Sequence, residues 1–188
     1  MTLFGGKEQL DTATIQTTWN AMTPKDSVWR NIWPTNTKSL NKHIMILIAH
    51  RGNTNGLNPE KENTVAYIKD ALKEGYHCEI DICKFDGKQF FLGHDVPQEA
   101  VSIEFLRDNN LWCHAKNFGA LEAMTALGIH CFFHKSDDYV MTSRGWIWAY
   151  PGQLGGQYTI AVHPEKLHPG DIKKFAGVCS DYVEKFRD

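Results

Sequence analysis

Ile44-Met45-Ile46-Leu47-Ile48-Ala49-His50-Arg51-Gly52 is the stretch on which the reading of the fold turns. Six apolar residues in succession, without alternation, suit a strand covered on both faces, as in a parallel sheet flanked by helices. The run stops at a polar tripeptide, His50-Arg51-Gly52, at the carboxyl end of that strand. Parallel α/β folds keep their sites at the carboxyl ends of strands.

The chain beyond it repeats the theme. Residues 63–74 carry Val65, Ile68, Ala71 and Leu72 at helical spacing, with Gly75 as the stop. Residues 76–83 read as a second strand, and Asp86-Gly87 suits a tight turn into 89–92. A third strand is expected at 111–115 and a helix at 119–127, ended by Gly128; further strand-like runs lie at 129–133, 146–149, 158–162 and 177–179. Strands alternating with helices predict an α/β protein with about seven parallel strands, a pattern compatible with an open three-layer sheet and with a closed barrel. Residues 151–157 are too few for a crossover helix, so a barrel would be abbreviated against the usual length of about 250 residues.

Residues 1–43 are of another character: rich in Thr, Asn and Lys, with Trp19, Trp29 and Trp33, a helical stretch at 11–22, and interruptions at Pro24 and Pro34. They read as an N-terminal arm that packs on the main domain, residues 44–188, or on another subunit, which would make a homo-oligomer.

Bulk properties narrow the classes. The chain of 188 residues, 42% hydrophobic, is long enough for one domain with a real core. A net charge of −2 gives neither a nucleic-acid footprint nor a polybasic membrane patch. No run approaches the roughly 18 apolar residues of a membrane span, and no basic segment leads into an apolar signal core. The five cysteines are odd in number, lie mostly in apolar runs and form no CxxC pair. They read as reduced thiols of a cytoplasmic protein rather than a disulfide framework or a cysteine zinc site.

The chemistry lies in what the strand ends carry. Glu79 and Asp81 are two apart on the second strand, so both face one side while Cys78, Ile80 and Ile82 face the other. Two inward carboxylates would repel and lose hydration, at several kcal/mol for an uncompensated ion. A hard divalent cation removes that conflict; pairing with Arg51 or Lys116 is the other way to do so. His114 and Lys116 share a face of the third strand by the same parity. Histidines such as His50 and His94 exchange protons near neutral pH, and Arg51 offers a donor fork matched to phosphate oxygens. A cation, fixed positive groups and an acid and a base are what phosphodiester cleavage requires.

In order and spacing, His50-Arg51-Gly52, Glu62-Asn63-Thr64, Glu79-Ile80-Asp81 and Gly93-His94-Asp95 resemble the glycerophosphodiester phosphodiesterase family, part of the phospholipase C-like phosphodiesterases. Gly177-Val178-Cys179-Ser180-Asp181-Tyr182 looks like that family's last strand, and the likeness runs from Ile44 to about Phe186. It implies a TIM-type (β/α) barrel, here abbreviated, and a divalent cation held by Glu79 and Asp81. It also implies His50 and His94 as the acid/base pair and Arg51 and Lys116 on the phosphate of a small-molecule phosphodiester. Glu62 and Asn63 complete the implied substrate site, orienting the metal-bound water or the first-strand histidine. A neighbouring substrate hydroxyl would act as the internal nucleophile, giving a cyclic phosphate that water then opens, a route that gains from proximity.

The departures from the family shape the expectation. His114 stands where the family has a glutamate, and a mixed set of Glu79, Asp81 and His114 favours Mg²⁺ or Mn²⁺, with Zn²⁺ and Ca²⁺ behind them. Residues 134–153 lack the usual longer crossovers. Trp146, Trp148 and Tyr150 suit the mouth of a site, and the two tryptophans suit a core equally well. Asp137 and Asp138 read as a solvated loop, and His163, followed by Pro164, as structural. Three functions are carried forward: a metal-dependent phosphodiester hydrolase, a lyase of the same fold that stops at the cyclic product, and a catalytically inactive phosphosugar-binding protein.

Overall fold

The computed structural model describes residues 45–85 and 89–187; the expected N-terminal arm and the Asp86-Gly87 turn lie outside the described residues. Among those described, ten strands form a single mixed sheet. They are β1 (Ile46–His50), β2 (His77–Phe85), β3 (Gln89–Leu92), β4 (Glu99–Val101), β5 (Leu111–Ala115), β6 (Cys131–Phe132), β7 (Tyr139–Met141), β8 (Ile147–Ala149), β9 (Thr159–Val162) and β10 (Gly177–Ser180). Four short α-helices accompany them: α1 (Val65–Lys73), α2 (Ile103–Leu106), α3 (Phe118–Ala126) and α4 (Pro169–Ile172).

This architecture corrects the expected TIM-type barrel of about seven strands. The sheet runs β4-β3-β2-β1-β10-β9-β8-β7, with β5 on the other side of β2 and β6 beyond it, and it does not close. The strands from β6 through β5, β2, β1, β10 and β9 to β8 are mutually parallel. At both flanks antiparallel pairs replace the helices a barrel needs. β3 and β4 fold back beside β2, and β7 folds back on β8. Among the described residues no ladder joins β6 to β7; Ser143 reaches across, its backbone N–H donating to Cys131 O at 2.8 Å and its hydroxyl accepting from Cys131 N at 3.0 Å, and His130 Nε2 is hydrogen-bonded to Thr142 Oγ1 at 3.0 Å. The physical reason is the shortness of the connections: a hairpin needs two residues, a parallel crossover a dozen or more.

Two apolar layers sandwich the sheet. Cys78, Ile80 and Ile82 of β2, Cys113 and Ala115 of β5 and Ile68 and Met124 of the helices lie in one core. Ile48, Trp112, Phe132, Trp148, Ile160 and Cys179 form a second, on the opposite face. α1 starts at Thr64, whose hydroxyl accepts from Tyr67 N, and α3 at Asn117, whose side chain accepts from Ala120 N at 2.9 Å. β10 approaches β1 so closely that a Cβ on Gly177 would lie 2.5 Å from Ile46 O, so only glycine fits there. All five cysteines are free and buried. No helix among the described residues is long and apolar enough to cross a membrane.

Candidate active site

The second apolar layer leads directly to the site. Continuing its strand parity past the carboxyl ends takes Ile48 to His50, Trp112 to His114 and Lys116, Phe132 to His134, Trp148 to Tyr150 and Cys179 to Asp181. Sheet register then sets the neighbours: His50 lies opposite Glu79 and Asp81 opposite His114. A cavity of about 680 Å³ opens above them, with His50, Arg51, Glu79, His94, His114 and Lys116 among its walls.

Arg51 and His163 break the parity and still reach this face. Arg51 follows His50, and His163 follows Val162, so plain alternation would turn both outward. Both have left-handed backbones, φ 54° and 47°; with Asn63 at 55° they are the only non-glycine residues of positive φ among those described. Such conformations are uncommon outside glycine and gather where a site holds them. The turn before His94 depends on Gly93 (φ 136°), where a Cβ would fall 2.0 Å from Val96 O.

Asp81 is fully buried and strongly compensated. Arg51 Nε lies 2.8 Å from its Oδ2, and His114 Nδ1 and Lys116 Nζ lie 3.2 and 3.6 Å from its Oδ1. Asn63 grips it twice, donating from Nδ2 to Oδ2 at 3.0 Å and accepting the Asp81 backbone N–H at 3.0 Å. Burial pushes the Asp81 carboxyl up, but His114, Arg51 and Lys116 outweigh it and hold it well below the usual carboxylate range. Glu62 accepts from Arg51 at 3.1 Å. Glu62 and Asn63 thus hold Arg51 and Asp81 in place rather than facing the first-strand histidine.

Glu79 is different. It is 3% exposed, and its neighbours are two imidazoles, His114 Nδ1 at 3.6 Å from Oε1 and His50 Nε2 at 3.8 Å from Oε2. Both distances exceed a hydrogen bond. Glu79 Oε2, Asp81 Oδ1 and His114 Nε2 are all buried without a hydrogen-bond partner. These belong to the three residues whose ligand atoms gather within 4.8 Å of one another. Buried polar atoms are nearly always satisfied, and these three residues together could hold an ion. Charge points the same way. Glu62, Glu79, Asp81 and Asp181 face the permanent cations Arg51 and Lys116, leaving a deficit that two imidazolium protons or one divalent cation fills.

His50 has a partner that the sequence reading did not assign. Asp181, just past β10, sits 2.7 Å from His50 Nδ1 and also accepts from Asn53 Nδ2 at 2.9 Å. Burial lowers the His50 pKa, but Asp181 and Glu79 more than reverse this and raise it. His114 is likewise raised, with Asp81 and Glu79 overcoming burial. The histidine read as structural, His163, lines the cavity with its ring centroid 5.0 Å from that of His50.

The aromatic residues divide between the core and the mouth of the cavity. Trp148 is buried core whose edge meets the cavity, Trp146 packs on Trp112, and Tyr150 lines the mouth. The Tyr150 hydroxyl is in close hydrogen-bond contact with His134 Nε2, and His134 stacks on His114 at 4.5 Å. Burial, then His114 and Lys116, depress the His134 pKa to about 4. Asp137 and Asp138 are exposed, on the approach to β7. His94 lines the cavity from the β3–β4 connection, its side chain 42% exposed and paired at 2.8 Å with Asp95; among the described contacts it does not touch the cluster.

Compared with family models, curated proteins and solved structures, the chain matches none of them.

Proposed function

We propose that this protein is a metal-dependent phosphodiester hydrolase acting on a glycerophosphodiester or a sugar-type phosphodiester. The observation that carries the reading is the group Glu79, Asp81 and His114, whose ligand atoms lie within 4.8 Å of one another and which includes the orphaned atoms Glu79 Oε2, Asp81 Oδ1 and His114 Nε2, beside an open cavity that presents Glu79 and His114 with Arg51, Lys116 and His50. Two carboxylates and one imidazole suit Mg²⁺ or Mn²⁺ ahead of Zn²⁺ and Ca²⁺. Such an ion supplies Lewis-acid stabilisation of charge on the phosphoryl oxygens.

The chain's own residues do the rest. Lys116 and the outer edge of Arg51 bind the phosphate, with Glu62 fixing the Arg51 fork. His50, held at Nδ1 by Asp181, presents Nε2 to the cavity and moves a proton there. His94, also on the cavity wall, exchanges the second proton, so that one imidazole takes the proton of the attacking hydroxyl and the other protonates the leaving oxygen. A neighbouring hydroxyl of the substrate as nucleophile would give a cyclic phosphate that water opens.

The test is turnover of glycerophosphocholine and of an aryl phosphodiester by the full chain, stripped with EDTA and reloaded with Mn²⁺ or Mg²⁺. Product release that needs metal and is lost in His50→Ala is expected. Folded protein that turns over no diester with any divalent cation would overturn the reading.

A further inference from the structure

We propose that His50, His163 and Asp181 form a second cation site, selective for a borderline transition metal such as Zn²⁺, beside the carboxylate-rich cluster of Glu79, Asp81 and His114. Each of the three offers one ligand atom within 4.8 Å of the others. Asp181 Oδ1 is 2.7 Å from His50 Nδ1, and Asp181 Oδ2 is 3.9 Å from His163 Nδ1. A tetrahedral ion at bond lengths of about 2.0–2.2 Å fits three such donors after small side-chain rotations and leaves a fourth position for water.

Chemistry separates the two sites. Two imidazoles and one carboxylate favour Zn²⁺ and related ions, whereas the neighbouring cluster has two carboxylates and one imidazole. The surroundings also suit a ligand set. Asn53, itself fully buried, fixes the Asp181 side chain from Nδ2 at 2.9 Å, and Gly56 N donates to Asp181 O at 2.7 Å. Supports of this kind orient metal ligands. His163 closes the set from the solvent side, 43% exposed and turned to the cavity by its left-handed backbone.

One consequence rests on the hydrolase reading. A cation here takes His50 out of proton transfer, so Zn²⁺ inhibits an enzyme that Mn²⁺ or Mg²⁺ activates. Binding itself does not depend on that reading.

The experiment is a Zn²⁺ titration of the full chain by calorimetry, with circular dichroism to confirm folding. The parent is expected to bind two Zn²⁺ per chain. The double variant Glu79→Gln/Asp81→Asn should keep one, and His163→Ala should lose at least tenfold in affinity for that one. His163→Asp, which restores a ligand, should recover it. Unchanged stoichiometry and affinity in His163→Ala, or no Zn²⁺ bound by the double variant, would overturn the second site. Where diesters are turned over, Zn²⁺ should inhibit the parent and spare His163→Ala. Absence of any turnover together with intact two-site binding would remove the hydrolase reading and leave this site standing.

Discussion

Replacing Glu79 by glutamine should make the metal-free protein more stable while abolishing its response to metal. The side chain is 3% exposed, Oε2 has no hydrogen-bond partner, and the nearest positive groups are two imidazoles at 3.6 and 3.8 Å. A buried ion costs several kcal/mol in lost hydration, and the imidazoles offset part of that at distances too long for hydrogen bonds. An isosteric amide removes the charge and keeps the volume, so the metal-free variant should gain about 1–2 kcal/mol. For a chain of this length, 1 kcal/mol moves Tm by about 2–4 °C, which puts the gain at roughly 2–8 °C in EDTA. Metal at about a hundred times its Kd should add roughly 2.7 kcal/mol to the parent and close to nothing to the variant. Thermal melts of both proteins, in EDTA and in millimolar Mn²⁺, read all four values. A variant less stable than the parent in EDTA, with a parent melt indifferent to Mn²⁺, would make Glu79 a structural acid satisfied by its two histidines and no metal ligand.

Other outcomes follow from the same geometry. His50→Ala should lower kcat on a diester by about 10²–10⁴-fold while the Mn²⁺-induced rise in Tm persists, because the Glu79, Asp81 and His114 ligands remain. Asn63→Ala should cost about 2–4 kcal/mol in urea unfolding, since it strands the buried Asp81 N–H and puts alanine, which tolerates a left-handed backbone less well than asparagine, at φ 55°. His130 is 3% exposed and bonded to Thr142 Oγ1 at 3.0 Å; burial, then Arg144, lower its pKa to about 3. Between pH 6.5 and about 3 the unfolded chain binds a proton there that the folded chain refuses, so stability falls with pH, by about 2 kcal/mol at pH 5. His130→Phe should flatten that part of the stability–pH curve, as read by urea melts at each pH.

Much of the site could be read before the fold was known, because strand parity is local. The i, i+2 placement of Glu79 with Asp81 and of His114 with Lys116 needs only a strand, and the strands are there. The run from Ile46 to His50 sits as expected between parallel neighbours β2 and β10. The helix expected at 63–74 spans Val65–Lys73, its start moved by the Thr64 cap and the left-handed Asn63. Closure could not be read. β7 is three residues, Tyr139, Val140 and Met141, mostly exposed and without an apolar period, so its hairpin with β8 leaves no trace in the sequence pattern. Arg51 and His163 show the limit of parity: each follows a strand residue that faces the cavity, and only a left-handed backbone brings it to the same side. Asp181 could have been found by the same alternation, two residues beyond the buried Cys179 of β10.

The proposed hydrolase rests on one divalent cation between Glu79, Asp81 and His114. Crystals grown with Mn²⁺ and measured at the manganese edge test it most directly. An anomalous peak is expected about 2.0–2.2 Å from a carboxylate oxygen of Glu79, from Asp81 Oδ1 and from a ring nitrogen of His114. Well-ordered density for all three side chains with no peak between them, and the Asp81–Arg51–Lys116 contacts unchanged, would contradict it.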